Sequence, residues 1–415
     1  MRTKSITRLA LLSGTVFAVV ACAQLQSLSR QKPAPTPQPS APSTVAAKPL
    51  KSIQKATEAA APAALTAISF PPDQMVVHFI DVGQGDAELL EFSCGAVLVD
   101  TGGETTQEVD GRQNLVDFLD AFFKRRTDLA NTLKLVVLSH PHIDHTNGVG
   151  VAYPASGLLG MSVTIENVVD DGPPLAHATG APGQNALKKR APSGHYFGVA
   201  AAKITTTAGL TNSIIDPVNC SQGGGVDPKI TALWGLVDPS VGSWTTNPNN
   251  NSVVIRVDFG AASFLFMGDM EKPGIDAMLE SYSADTSIFD ADVLKVGHHG
   301  SKNGTTEELL KAVTPKIAVM GVGDSSMSHA VYSAYSFAHP NKVAIDLLLD
   351  NSFGVTMSRP SKSVSVGIKG ADQKHHVPPE FQKMTIARAI YATGWDGTVD
   401  VTAHADGTLS VQTNQ

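Results

Sequence analysis

The chain has 415 residues, 42% of them hydrophobic and 17% charged, with a formal net charge of −7. That length and apolar content fit one large or two ordinary folded domains and exclude a wholly disordered chain. The negative balance excludes a permanently basic nucleic-acid platform, while leaving room for a local basic groove.

Arg2, Lys4 and Arg8 precede an apolar run over 9–20, too short to span a bilayer as a helix. Val19-Val20-Ala21-Cys22 then resembles a bacterial lipobox. Residues 1–22 therefore read as a lipoprotein-type signal peptide, with Cys22 as the lipidated terminus; the alternative is plain secretory cleavage. Several acyl chains would anchor the protein stably to a membrane, which one chain would not. The implied location is the cell envelope, lipid-anchored at the outer membrane or facing the periplasm, and the alternative is a secreted protein. Residues 23–72 are rich in Pro and Ala and read as a flexible tether. Cys94 and Cys220 would pair in an oxidising compartment or remain two buried thiols.

The globular part is expected over 73–415. Strands are predicted at 76–80, 88–92 and 96–99, the last closing on Asp100-Thr101-Gly102-Gly103. Leu115, Phe118, Leu119 and Phe122 recur at helical spacing. The apolar run 133–138 reads as a buried strand. It is followed at once by Ser139-His140-Pro141-His142-Ile143-Asp144-His145. Imidazole and carboxylate in such density, on the loop leaving a strand, suit zinc, manganese or iron better than calcium or magnesium. Residues 153–249 look like a loop-rich insertion. Within it 176–198, carrying Lys188, Lys189 and Arg190, reads as a mobile loop near the site. Strands return at 252–259 and 263–267, ending on Gly268-Asp269, then a helix at 275–282. A strand at 293–296 ends on His298-His299-Gly300-Ser301. A helix at 306–313, a strand at 317–320 and a helix at 343–349 behind His339-Pro340 follow. A terminal β-meander is expected at 386–393, 398–402 and 409–412. His375-His376 and His404 read as surface residues. Strand, helix and strand occur twice, with chemistry at strand ends both times, which predicts an α+β, four-layer αββα sandwich with the site along the edge shared by its sheets.

Asp100-Thr101-Gly102, the histidine cluster, Gly268-Asp269, His298-His299-Gly300-Ser301 and His339-Pro340 occur in an order that resembles the metallo-β-lactamase fold superfamily. Phe79-Ile80-Asp81-Val82-Gly83-Gln84-Gly85-Asp86-Ala87, Asn250-Asn251-Ser252-Val253-Val254 and Leu294-Lys295-Val296-Gly297-His298-His299 are similar to the C-terminal hydrolase domain of the competence protein ComEC. The resemblance implies two divalent metal ions, zinc or manganese. His140 and His142 would hold the first ion, and Asp144 and His145 the second. Asp269 would lie between the two ions and His339 would complete the second site. Asp100 would orient a ligand imidazole from behind. His298, His299 and Asp144 form the implied catalytic set, with the two histidines facing substrate. Many superfamily members carry a further metal-binding His where this chain reads Asn249-Asn250-Asn251-Ser252, so an oxygen ligand is one option there; His177 and His195 are weaker candidates. His329 competes with His339. The implied activity is an extracytoplasmic metal-dependent phosphodiesterase, with nucleic acid as one substrate class. The alternatives are an esterase on phosphorylated cell-envelope polymers and a non-catalytic, metal-stapled binding protein. No stable protein partner is implied.

Overall fold

The computed structural model describes residues 70–106, 109–151, 156–175, 178–326 and 333–415. The signal, Cys22 and the tether up to residue 69 lie outside the described residues, as do His177 and His329. The described residues belong to a single folded unit.

Two sheets make its centre. The first contains β1 (Gln74–Phe79), β2 (Glu88–Glu91), β3 (Ala96–Val99), β5 (Leu135–Val137), β7 (Val168–Asp170), β8 (Tyr196–Gly198), β17 (Val399–His404) and β18 (Leu409–Thr413), in the order β18-β17-β1-β2-β3-β5-β7-β8. The second contains β9 (Lys229–Trp234), β10 (Val254–Phe259), β11 (Ala262–Phe266), β12 (Val293–Lys295), β13 (Ile317–Met320) and β16 (Ile390–Ala392), in the order β16-β13-β12-β11-β10-β9. Among the described residues two further two-stranded sheets occur: β4 (Thr132–Leu133) with β6 (Thr164–Ile165), and the longer β14 (Ser358–Lys369) with β15 (Glu380–Arg388).

Side-chain alternation explains the layering. Along β2, Leu90 faces the second sheet and joins the inter-sheet core, while Leu89 faces the other way and packs with Leu115, Leu119 and Phe122 of α1 (Gly111–Arg125). Phe79 and Phe266 pack across the inter-sheet core with ring centroids 6.3 Å apart, as do Phe92 and Phe259. Asp110 starts α1 by accepting from Gln113 N, and Lys124 and Arg125 end it where cations suit the helix dipole. The outcome is the expected αββα arrangement. No helix among the described residues is long and apolar enough to cross a membrane.

Three local expectations need correction. The described part of the expected mobile loop, residues 178–198, is largely ordered into regular elements. Residues 181–190 form α3 (Ala181–Arg190), opened by Pro182, and 196–198 form β8, which extends the first sheet. Lys188 lies over the Tyr196 ring at 4.2 Å, a cation–π contact that holds this basic run against the fold. The wider 153–249 region also supplies β7 and β9 to the two sheets.

The terminal strands are not one meander. β16 runs parallel to β13 in the second sheet, whereas in the first sheet β17 pairs with β1 and β18 with β17. The helical turn α8 (Thr393–Asp396) separates them. Buried Asp396 fixes that crossover by accepting from Arg359 and Lys362. The β14–β15 arm, 12 and 9 residues long, has no counterpart in the expected elements. Finally, Cys94 and Cys220 are disulfide-bonded, with Cα atoms 5.2 Å apart.

Candidate metal centre

Both halves of the fold deliver chemistry to one place. β3 and β5 run parallel and end on Asp100 and on the histidine cluster. β11 and β12 run parallel and lead to Asp269 and to His298-His299. α2 (Ile143–Thr146) starts at His142, whose backbone is extended, and Thr146 Oγ1 donates to His142 O at 2.9 Å. The loops meet so closely that a Cβ on Gly102 would lie 1.8 Å from Asp144 O. At Gly268, with φ of 52°, a Cβ would press on Ser139 and Ser252.

The imidazoles converge on Asp269. Its Oδ2 lies 3.2 Å from His145 Nε2, 3.4 Å from His299 Nε2, 3.9 Å from His298 Nε2 and 4.0 Å from His140 Nε2. Hydrogen bonds on the far side of three rings fix which nitrogen carries a lone pair. His145 Nδ1 donates to Asp100 Oδ2 at 2.8 Å, and His299 Nδ1 donates to Gly321 O at 2.7 Å. His140 Nδ1 faces Ser139 Oγ (3.1 Å) and Ser252 Oγ (3.4 Å). Both hydroxyls already donate elsewhere, Ser139 to Asp100 Oδ2 and Ser252 to Asn249 O, so each accepts from His140. The Nε2 atoms of His145 and His299 are therefore left for a ligand, a common device for orienting metal-binding histidines, whereas His140 Nε2 lies 3.0 Å from His142 Nδ1.

The donor set fits a divalent metal. Asp86, His145, Asp269 and His299 are all buried, and each offers one ligand atom within 4.8 Å of the others. His145 Nε2, His299 Nε2, Asp269 Oδ1 and Asp86 Oδ1 accept or donate no hydrogen bond. Buried polar atoms are rarely left so, and here they share one centre.

Charge is balanced tightly. Burial drives the Asp269 carboxyl up, but His299, His145 and His298 outweigh it and hold it well below the usual range. Burial lowers His145 and His299, yet Asp269, with Asp100 or Asp86, lifts both well above an ordinary histidine. His140 is pushed well below by burial and by the neighbouring His145 and His142. A cation bound here would compete with the protons on His145 and His299, so its loading would depend on pH. Behind the ligand atoms, buried Lys295 donates to Asp86 Oδ2. Glu88 beside them is pushed well above its usual range by burial and by Asp86.

The centre forms the floor of a cleft of about 840 Å³, whose walls include His142, Asp144, Asn249, His298 and His339. Lys302 and Lys369 stand on its walls. Lys188, Lys189 and Arg190 are not among the lining residues.

The model of the family described as the metallo-beta-lactamase superfamily matches residues 80–158 and 235–323, which carry all of these loops except the one bearing His339. The chain is 24% identical over 323 residues to ComE operon protein 3 of Bacillus subtilis, covering 75% of this chain and 35% of the relative. The chain carries a metallo-β-lactamase-fold, ComEC-like domain. It is also 27% identical over 271 residues to Recombination protein 2 of Haemophilus influenzae, covering 65% of this chain and 27% of that protein. Among solved structures it is similar to the metallo-beta-lactamase fold protein YhfI from Bacillus subtilis, with 17% identity, a TM-score of 0.34, and coverage of 60% of this chain and 85% of that one. The chain spans about a third or less of the length of these two curated relatives.

Within this metallo-β-lactamase-fold domain, the structure gathers His140, His142, Asp144, His145, Asp269, His298, His299 and His339 around one cleft floor, with Asp100 behind His145. It separates the two adjacent histidines. His298 stands in the cleft wall at 22% side-chain exposure, whereas His299 is 1% exposed with Nε2 3.3 Å from Asp144 Oδ2. His339 follows α6 (Ala334–Phe337) and packs 5.8 Å from the His298 ring, and its Nδ1 has no hydrogen bond. Burial, then His298 and His299, bring its pKa down to about 3, so this ring is neutral. His195 is exposed and bonded to Asn167, away from the cleft. His375 and His376 are exposed. Asp86, Glu88 and Lys295 are the site residues that sequence reasoning missed. The available signal was a lysine inside an apolar strand, Val293-Leu294-Lys295-Val296, paired with an acidic residue after Gly83-Gln84-Gly85.

Proposed function

We propose that this domain is an extracytoplasmic, metal-dependent phosphodiesterase that uses two divalent ions, manganese or zinc, and acts on nucleic acid. The observation that carries the metal dependence is the convergence of oriented Nε2 atoms on Asp269 at the floor of a cleft. His140 and His142 would hold one ion, and Asp144, His145 and His299 the other, with Asp269 between them and His339 at the second ion's edge. When bound, such ions supply Lewis acidity that draws the pKa of water towards neutrality and offsets phosphoryl charge. Asp100 keeps His145 in the required tautomer. His298 is placed to bind a phosphoryl oxygen or protonate the departing oxygen. Lys302 and Lys369 favour an anionic substrate. The name of one relative, Recombination protein 2, supports nucleic acid as the substrate class.

The Cys94–Cys220 bond supports an oxidising location. With the lipobox it favours a lipid-anchored envelope protein, tested by the mass of an acylated Cys22 in native material.

Activity is tested by incubating the mature protein with Mn²⁺ or Zn²⁺ and bis-p-nitrophenyl phosphate, single-stranded DNA or nitrocefin. Phosphodiester cleavage is expected, with Asp269→Asn reducing it by about 100-fold or more. No cleavage of either phosphodiester with either metal between pH 6 and 9 sinks the reading.

A further inference from the structure

Asn249 stands in the same cleft as His142 and Asp269. The residue is 5% exposed, and its Oδ1 accepts no hydrogen bond. Its Nδ2 donates to Glu271 Oε1 at 2.9 Å. This contact pairs the amide NH₂ with a carboxylate oxygen as acceptor, so the amide oxygen faces away from Glu271. Rotating the amide by half a turn would set two oxygens against each other. The orientation is thus dictated by chemistry.

The main chain at Asn249 is tied into the centre as well. Ser252 Oγ donates to Asn249 O at 2.8 Å and accepts from Asp269 N at 3.0 Å. The same hydroxyl lies 3.4 Å from His140 Nδ1. One serine therefore connects the main chain of Asn249, the His140 imidazole and the main chain of Asp269. Pro248–Asn251 form a single 3₁₀ turn in which Asn250 and Asn251 turn their side chains to backbone partners elsewhere, Asn250 Nδ2 to Trp244 O and Asn251 Nδ2 to Thr245 O. Both atoms of the Asn251 amide are satisfied, its Oδ1 by Val237 N, and Asn250 Oδ1 accepts from Gly274 N. Of three consecutive asparagines, two are committed to the fold and Asn249 alone presents a buried oxygen with no donor.

We infer that Asn249 Oδ1 is the third protein ligand of the ion held by His140 and His142, and that Glu271 positions it. This assignment rests on the metal-dependent reading above. A neutral amide oxygen beside two imidazoles and a carboxylate is a harder donor set than three imidazoles, so it moves the site's preference towards Mn²⁺ and away from Zn²⁺. Glu271 Oε1 also lies 3.5 Å from His298 Nδ1. One carboxylate thus holds the Asn249 amide by a hydrogen bond and stands beside, without bonding, the imidazole placed to face substrate.

The test uses the mature protein stripped by a chelator and titrated with Mn²⁺ alone or Zn²⁺ alone. Free Mn²⁺ is followed by electron paramagnetic resonance and bound Zn²⁺ by elemental analysis. The wild type should bind two equivalents. Asn249→Ala should keep one equivalent and bind the other about 10-fold more weakly or worse, and Glu271→Ala should weaken that same equivalent by about 10-fold. Asn249→Asp should retain Mn²⁺, and Asn249→His should shift the Mn²⁺-to-Zn²⁺ affinity ratio towards Zn²⁺. Should the alanine variant fail to fold, the shift in Asn249→His decides the matter. Two equivalents at wild-type affinity in Asn249→Ala, or an unshifted ratio in Asn249→His, overturn the assignment alone. A wild type that binds neither metal overturns the metal-dependent reading on which it rests.

Discussion

Glu88 and Glu91 stand three residues apart on β2, at opposite ends of one short strand, and each belongs to a buried charged cluster. Around Glu91 every polar atom is answered. Its oxygens accept from both nitrogens of Arg125, from Arg126 Nη1 at 2.7 Å and from His78 Nε2 at 3.1 Å. Arg126, fully buried, spends its remaining donors on Asp128 and on the carbonyls of Phe92 and Ser93. His78 turns its other nitrogen to Asp400 at 2.8 Å. Around Glu88 the opposite holds, since oxygens of Glu88, Asp86 and Asp269 and ring nitrogens of His145 and His299 lack partners. Both clusters cost desolvation energy. A saturated network has spent its bonding capacity on the fold, whereas an unsaturated one keeps capacity for a ligand.

The largest test of that contrast is Glu91→Ala. It leaves buried Arg126 without its main counter-charge and should cost about 3–5 kcal/mol in urea unfolding, with metal content unchanged. A loss below about 1 kcal/mol would place both clusters in the same class. Acid titration should follow in size. Burial raises Glu91, but its bonds to His78, Arg125 and Arg126 bring it from 4.5 down to about 2. Its contribution of about 3 kcal/mol is therefore complete above about pH 4.5 and disappears as pH falls through about 2. Denaturant midpoints collected between pH 6 and 2 measure it, and a flat profile would contradict the pairing. The smallest of the three effects sharpens the other side. Mn²⁺ at about 100 times its dissociation constant should stabilise the wild type by about 2.7 kcal/mol, and the gain should nearly vanish in Asp269→Asn.

Sequence legibility followed the same division. The cluster at 140–145 was readable because its ligands are adjacent in the chain, and Asp100, Asp269 and His298-His299 because each follows an apolar strand. Lys295 was not, since a lysine within a strand ordinarily points to solvent and nothing local shows that it meets Asp86 from the other sheet. The partition of β16 and β17 between sheets was hidden for a related reason. Strands of three to six residues carry an inside and an outside but no mark of which sheet they join. The β14–β15 arm was missed because most of its residues are exposed or half-buried, and only the short stretch through Val364 and Val366 alternates. The order of the chemical residues, by contrast, was enough to give the αββα layers.

Asp100, His298 and His299 all adopt positive φ, at 55°, 50° and 52°. Alanine scanning, the usual first experiment on such a centre, would mislead at these three positions. Alanine removes the functional group and also trades a residue type for one that this backbone region disfavours by roughly 1–2 kcal/mol. Asparagine tolerates the conformation and lacks the imidazole, so His298→Asn and His299→Asn separate lost chemistry from lost folding. The same constraint narrows what drift or directed evolution can sample at these positions to asparagine, aspartate, glycine and histidine.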